Sequence, residues 1–286
     1  MSEFKYVLSI VAIMKYEESY VAEWVAFHKV CGVQHFYIYD NNETSTMKQV
    51  LKPYIEQGIV TLIPWYGEVK MFAAYNDAIA RFKNESKYLA YIDADEFIVP
   101  TIDAPICQLV EMTFDRLNET ASKYESRIIG GIGVNWKVYG TSNHETKPEG
   151  LVIENYTLRG ETDVNKHIKS IVNPRAVAKW TNPHFATYLS DYRSSSQNGL
   201  YLSGPFCNIE NATPLRINHY FYKSVEEFRF RLKRKKCDIR ITDEELNQLI
   251  NKSLAEAGQY NVIEDRIACR FVDPVKEELR QNGYII

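Results

Sequence analysis

The sequence predicts an α/β fold: a doubly wound, mostly parallel central sheet with an accessory lobe and C-terminal helices. Three observations carry that expectation. Strand-like and helix-like segments alternate from Tyr6 to Pro100, the rhythm of parallel strands joined by crossover helices. After Pro100 it gives way to short Gly- and Asn-rich runs, which suit antiparallel strands and loops. From Ile217 helical periodicity returns, in SVEEFRFRLKRKK and TDEELNQLINKSLAEAG.

The first apolar run, Tyr6 to Met14, is long and partly β-branched, as a strand covered on both faces should be. It lacks a basic leader and a small-residue cleavage site, so it reads as a buried strand and not as a signal peptide. A helix follows in SYVAEWVAFHKVCG, with Gly32 at its stop. HFYIYDNN is a strand that emerges into a polar loop at Asp40, Asn41 and Asn42. The cycle repeats with MKQVLKPYIEQG as helix, GIVTLIPW as strand, VKMFAAYNDAIARFK as amphipathic helix and KYLAYIDADEFIVP as strand. ICQLVEMTFDRLNE suits a helix, whereas IIGGIGVNWKVYG, GLVIENYTL, HIKSIVNP and AVAKW read as short strands or loops. No linker or internal repeat divides the chain, which argues for one continuous domain.

Composition narrows the function. The 286 residues are 45% hydrophobic and 25% charged, the balance of a globular protein. A formal net charge of −3 gives no reason to expect nucleic acid as a partner, since phosphate-backbone binding shows as excess Lys and Arg. The five cysteines are widely spaced, without a Cys-X-X-Cys pair, which argues against a disulfide framework or structural zinc. With no apolar stretch near the roughly eighteen residues of a membrane span, the expected setting is cytoplasmic. Twenty tyrosines offer faces for stacking on bases or sugars, although most should pack at the rim of the core.

The most informative segment is YLAYIDADEFIVP. In an extended chain, alternation puts Asp93 and Asp95 on one side. Two carboxylates so placed need a counter-charge, and Mg²⁺ or Mn²⁺ held this way keeps positions open for the phosphate oxygens of a nucleotide. A solvated turn is the plainer reading, but here the acids interrupt an apolar strand, and acids that break an apolar pattern usually have a partner. Asp40, Asn41 and Asn42 suit a ribose or base edge, or equally a turn. Tyr75 and Asn76 fall near the start of the helix leading to the acidic strand, where a donor contact and a helix cap are both open readings.

Several runs together, VAIMKYEESYVAEWVAFHKVCGVQHFYIYDNNETS, AAYNDAIARF, YLAYIDADEFIVP, GTSNHETKPEGLVIENY, HIKSIVNPRAV, NPHF and INHYFYKSVEEFRFRLKR, resemble glycosyltransferase family 92 and related family 2 type bacterial enzymes. The resemblance implies a Rossmann-like type A glycosyltransferase fold, divided as a nucleotide-sugar-binding half (1–100), an acceptor half (101–216) and a helical extension (217–286). It implies an inverting hexosyltransferase, with UDP as the nucleotide and galactose as one candidate sugar, acting on a glycan or lipid-linked saccharide in bacterial surface polysaccharide synthesis. By it Asp93 and Asp95 hold the metal, and Asp40 to Asn42 belong to the nucleotide pocket together with Lys15 and Glu17. Tyr16 departs from the Asn that such enzymes often carry between a Lys and a Glu.

A further metal ligand is expected from His219 or His184, and Lys169 is placed to bring positive charge to the diphosphate. Inversion needs a general base, for which Glu154 is favoured over Glu149, with Glu145 and Asp163 as further candidates. The basic run Arg229 to Lys236 suits peripheral contact with the inner membrane surface, or a solvated helix face. Competing functions are sugar-phosphate nucleotidyl transfer, against which stands the missing Gly-rich phosphate loop, and a non-catalytic carbohydrate-binding protein.

Overall fold

A computed structural model describes residues 3–44, 46–68, 70–124, 126–161, 166–209, 213–235 and 242–285. Asp163 and Lys236 lie outside the described residues, as do the side chains of Arg234 and Lys235. The chain forms two compact units. The first comprises Met1–Trp136, Lys166–Ile217 and Pro274–Ile286, and the second Lys137–Asn165 and Asn218–Asp273. The break expected at residue 100 falls inside the first unit. There the strand after the acidic turn pairs within the main sheet, so the contacts that hold the unit together run past that point.

The first unit is built on β1 (Tyr6–Met14), whose Leu8, Ile10, Val11 and Ala12 are wholly buried. Helix α1 (Val21–Val30) ends before Gly32, whose φ of +95° only glycine adopts freely and whose missing Cβ lets Pro105 approach. β2 (His35–Asp40) is buried throughout. Two short helices, α2 (Met47–Val50) and α3 (Lys52–Glu56), then lead to β3 (Val60–Pro64). Helix α4 (Met71–Phe82) turns Ala74, Tyr75, Ala78 and Phe82 inward and precedes β4 (Ser86–Tyr91). β5 (Glu96–Pro100) follows a tight turn, and α5 (Ile106–Ala121) a loop.

β6 (Ile128–Val138) carries the chain towards the second unit. That unit contains α6 (Val152–Asn155) and β7 (Leu158–Arg159). GLVIENYTL was expected as strand or loop; its first half is instead a helical turn. The run is too short and too apolar throughout for its periodicity to distinguish the two. The chain returns as β8 (Ile168–Val172), β9 (Val177–Trp180), β10 (Ala186–Tyr188), β11 (Tyr192–Ser196), β12 (Tyr201–Leu202) and β13 (Leu215–His219). Helices α7 (Val225–Lys235) and α8 (Asp243–Ala257) and strand β14 (Ile263–Glu264) complete the second unit. α9 (Val272–Gln281) leads back into the first.

The main sheet has the order β12-β11-β6-β8-β4-β1-β2-β3, with β13 joining β5 and β6 off this path. β3, β2, β1 and β4 run parallel, and β8 inserts antiparallel between β4 and β6. This is the mixed α/β class expected from the sequence, with four crossover-linked parallel strands on one side. The carboxyl ends of β1, β2 and β4 therefore lie together, where open α/β sheets gather ligands. Among the described residues no helix is long and apolar enough to cross a membrane.

Candidate functional site

At the carboxyl ends of β1 and β2 the structure ties two loops together. Asp40 Oδ1 accepts from the Asn42 backbone N–H at 3.1 Å and from Asn42 Nδ2 at 2.7 Å, closing a turn. Asn42 Oδ1 accepts in turn from the Tyr16 N–H at 3.0 Å. Asn41 Nδ2 donates to the carbonyls of Trp65 and Gly67, fixing the loop after β3. Tyr16 has φ +62° and a side chain 53% exposed. A tyrosine held in the left-handed region stores roughly 1 kcal/mol of backbone strain, and such positions cluster at ligand sites. Lys15 is exposed with its ammonium 5.3 Å from the Tyr16 ring centre, and Glu17 starts α1 by accepting from the Tyr20 and Val21 N–H groups through its carbonyl. Lys15 to Glu17 and Asp40 to Asn42 are thus tied into one polar cluster, in which Lys15 and the Tyr16 ring are exposed whereas Asp40 and Asn42 are buried.

The acidic segment is a turn, not an extended strand. Residues 93–96 connect β4 to β5, and the turn is closed twice: the Glu96 N–H donates to the Asp93 carbonyl at 3.1 Å, and the Asp93 N–H donates to Glu96 Oε2 at 2.8 Å. The alternation that would have put Asp93 and Asp95 on one side does not apply. Asp93 has a side chain one-third exposed, whereas Asp95 is buried. Glu96 is wholly buried, and its carbonyl accepts from Trp24 Nε1 at 2.8 Å, anchoring the turn to α1.

The counter-charge comes from the chain itself. Lys169, on β8, places Nζ 2.7 Å from Asp93 Oδ2 and 3.4 Å from Glu96 Oε2, and donates to the Pro183 carbonyl at 3.4 Å. Only 1% of its side chain is exposed. Burial opposes the charge, but Asp93 and Glu96 outweigh it and hold the Lys169 pKa well above the ordinary lysine value. Lys169 therefore meets the acidic turn and has no surface for the direct diphosphate contact expected of it. Tyr75 is likewise corrected from a donor contact to a core residue: it is wholly buried, 4.8 Å from the Tyr91 ring and 5.3 Å from Trp180. Burial and the charge of Asp93 push its phenol well up. Asn76 gives both amide hydrogens to the Phe72 and Trp180 carbonyls and accepts from the Trp180 N–H, joining α4 to β9. That leaves it no donor for a ligand.

Beside this ion pair stands a cluster of rings. Trp136 and His167 stack at 4.9 Å, and His184 meets them edge-on at 5.0 Å and tilted at 5.2 Å. His184 Nδ1 lies 3.2 Å from the Ile168 carbonyl, so it carries the hydrogen. Burial first, then the Lys169 ammonium, lower its pKa to about 4. A neutral imidazole is the form that coordinates metals. His219 belongs to the second unit, where it is buried, meets the Phe221 ring at 5.5 Å and accepts through its carbonyl from Tyr139 at 2.9 Å. Glu154 and Glu149 are also in the second unit. Glu154 Oε2 accepts from the Leu151 N–H at 3.5 Å at the start of α6, and Glu149 is exposed, its carbonyl taken by Asn155. Glu145 is exposed as well. Arg231, from the basic run, donates to the Phe221 carbonyl and lies 4.3 Å from that ring.

Whether a divalent cation fits is a question of donors. Among the described residues no group of three or more His, Cys, Asp or Glu side chains is gathered tightly enough to hold one. A hard cation that keeps several waters and takes phosphate oxygens needs only one or two carboxylates. Asp93, partly exposed, offers one such carboxylate, whereas Asp95 is buried. Such a site fits a cation that arrives with a diphosphate, not one that resides alone. The sequence does not single out Glu96, and the Lys169 expected at the diphosphate meets the acidic turn instead. The signal for Lys169 is a lysine in the otherwise uncharged apolar run HIKSIV, and for Glu96 an acid directly before the apolar FIV.

The profile of glycosyltransferase family 92 matches residues 5–203. A glycosyltransferase family 92 protein of Ricinus communis is 25% identical over 228 residues, 79% of this chain and 36% of its own length. One from Oryza sativa subsp. japonica is 26% identical over 223 residues, 78% of this chain and 34% of its own length. The chain thus spans about a third of the curated relatives it matches. Among solved structures, TarS of S. aureus in complex with UDP is 13% identical and aligns over 98% of this chain and 93% of that one, with a TM-score of 0.39. HddC from Yersinia pseudotuberculosis is 9% identical over 66% of this chain and 89% of that one, with a TM-score of 0.36. The chain belongs to glycosyltransferase family 92.

Proposed function

We propose that this member of family 92 transfers a hexosyl group from a UDP-sugar to a glycan or lipid-linked saccharide, with inversion, at the acidic turn between β4 and β5. The observation that carries the reading is the turn itself. A partly exposed Asp93 is held rigidly at the carboxyl end of a core strand by Glu96 and Lys169, beside the polar loops of β1 and β2. Bacterial surface polysaccharide synthesis draws no support from relatives of Ricinus communis and Oryza sativa.

In this reading the nucleotide sits on the Lys15–Glu17 and Asp40–Asn42 surface. The Tyr16 ring faces the base, on loops pre-set by the hydrogen bonds that tie them together. Preorganisation of this kind lowers the entropic cost of binding. Asp93 and Asp95 would hold a Mg²⁺ or Mn²⁺ ion delivered with the donor, which when bound stabilises charge on the departing diphosphate. Lys169 orients Asp93 through the 2.7 Å ion pair. Because its own ammonium is enclosed, it positions the carboxylate and does not touch the donor.

The test is a thermal-shift screen of UDP-sugars with and without Mn²⁺. A ligand at a hundredfold excess over its dissociation constant stabilises the native state by about 2.7 kcal/mol. A rise in melting temperature with a UDP-hexose, absent in Asp93→Asn, is the expected result. No stabilisation by any nucleotide sugar would defeat the proposal.

A further inference from the structure

The first unit contains a cavity of ≈ 400 Å³ that the acidic turn does not share. Its walls include Arg127, Phe185, Tyr188, Tyr192, Arg193 and Tyr201. β4 and β6 both run antiparallel to β8 and so point the same way. Asp93 follows the carboxyl end of β4, while Arg127 precedes the amino end of β6 and Tyr192 opens the adjacent parallel strand β11. The arginine end of the cavity is therefore at the opposite end of the sheet from the acidic turn.

The backbone is shaped to seat the cavity's aromatic floor. The β11–β6 register steps from Arg193 opposite Ile129 to Ser194 opposite Gly131, leaving Gly130 as a bulge. A Cβ on Gly131 would come 1.9 Å from the Tyr188 hydroxyl, and one on Gly130 3.0 Å from the Tyr188 ring. Only this glycine pair lets the tyrosine lie against the sheet. Burial pushes the Tyr188 phenol up, against the effect of the Ser194 and Ser170 hydroxyls beside it. At the mouth, Arg127 lies 5.5 Å from the Tyr201 ring, which is 59% exposed, and Arg127 makes no ion pair with any described residue.

We propose that this cavity is a second saccharide site that takes an acidic sugar unit, its anionic group on Arg127 and Arg193 and its ring against Tyr201. Three features match that ligand. A cavity of this size holds one or two sugar rings. Aromatic faces with hydroxyls around them suit a pyranose, which is apolar on its C–H face and polar at its rim. Guanidinium groups bind carboxylates and phosphate esters in paired hydrogen bonds. A uronic acid and a sugar phosphate share this chemistry. The site is independent of the donor reading, because none of its residues belongs to the acidic turn or the β1 and β2 loops.

The test is calorimetric titration of the whole protein with digalacturonate, glucose 6-phosphate, maltose and inorganic phosphate, in wild type, Arg127→Ala and Tyr201→Ala. Saturable one-to-one binding of digalacturonate or glucose 6-phosphate is expected, and whichever binds identifies the source of the negative group. Maltose should bind at least about tenfold more weakly, and each substitution should weaken the acidic ligand by about tenfold, the loss of one charge-assisted or stacking contact. Both replaced side chains are exposed, so melting temperatures and the UDP-sugar thermal shift should not change. Absence of binding, equal binding of inorganic phosphate alone, or binding indifferent to both substitutions would overturn the assignment while leaving the donor site standing.

Discussion

Replacing Lys169 with methionine removes the charge that holds the acidic turn while nearly preserving the side chain's length and apolar stem. The stem is enclosed, with 1% of the side chain exposed, and so is Glu96, at 0%. Asp93 is one-third exposed, so water screens part of what it would lose. Breaking a buried pair by removing one partner costs about 3–5 kcal/mol, because the other charge is stranded. With Asp93 discounted, the lower end applies, about 3 kcal/mol. For a chain of this size each kcal/mol lowers the melting temperature by about 2–4 °C, so Lys169→Met should unfold roughly 6–12 °C below wild type. Thermal unfolding followed by circular dichroism at pH 7 reads this directly. Adding Glu96→Gln to Lys169→Met should recover a large part of the loss, since the stranded charge is gone. A Lys169→Met protein that melts within about 2 °C of wild type would refute the argument that one internal ammonium neutralises the turn.

Asp93→Asn and Asp95→Asn should each abolish Mn²⁺-dependent stabilisation by a UDP-hexose and reduce transfer at least about a hundredfold, while circular dichroism shows the fold retained. Tyr16→Gly relieves the left-handed backbone and should raise stability by up to about 1 kcal/mol, yet weaken UDP binding several-fold in the same titration, because the exposed ring is lost. His28, His35 and His184 are all held below the ordinary histidine value, at about 3, 4 and 4, chiefly by burial. The unfolded chain therefore takes up protons near pH 6.5 that the folded chain refuses until pH 3–4, so stability is full above pH 6.5 and declines as pH falls through that window. Urea midpoints should drop between pH 7 and 5, and His28→Gln should make the drop shallower. His28 carries a hydrogen on Nδ1 for the Trp24 carbonyl and accepts from the Ile98 N–H at Nε2, a pattern that a second proton would break.

Much of the first hundred residues was legible because β1 and β2 are buried along nearly their whole length, α4 is amphipathic and Gly32 stops α1. Tyr6–Met14 and His35–Asp40 fall where their apolar runs end. The loop at Asp40–Asn42 was readable as polar residues at the end of an apolar strand, whereas the acids at Asp93 and Asp95, expected in an extended strand, lie in a turn. Which partner each polar residue takes was not readable. Lys169 lies 76 residues from Asp93 in sequence, and a lysine in a short strand signals an ion pair without naming its acid. Tyr75 and Asn76 were misplaced because helix periodicity gives the face a residue occupies, not whether that face meets solvent or another layer. The 137–165 excursion into the second unit was hidden for a similar reason: neither of its ends carries a linker-like composition.

The residues from Pro274 onward belong to the first unit, and they dock on its earliest helices. Lys29 pairs with Glu278 at 2.7 Å, Tyr284 donates to the Val50 carbonyl, and its ring stacks on Tyr54 at 6.0 Å. During synthesis, then, the first unit stays incomplete until these residues have left the ribosome. The second unit, inserted between them, has all its segments beforehand. A nick near residue 270 would strip a fastening from α1, α2 and α3 of the first unit.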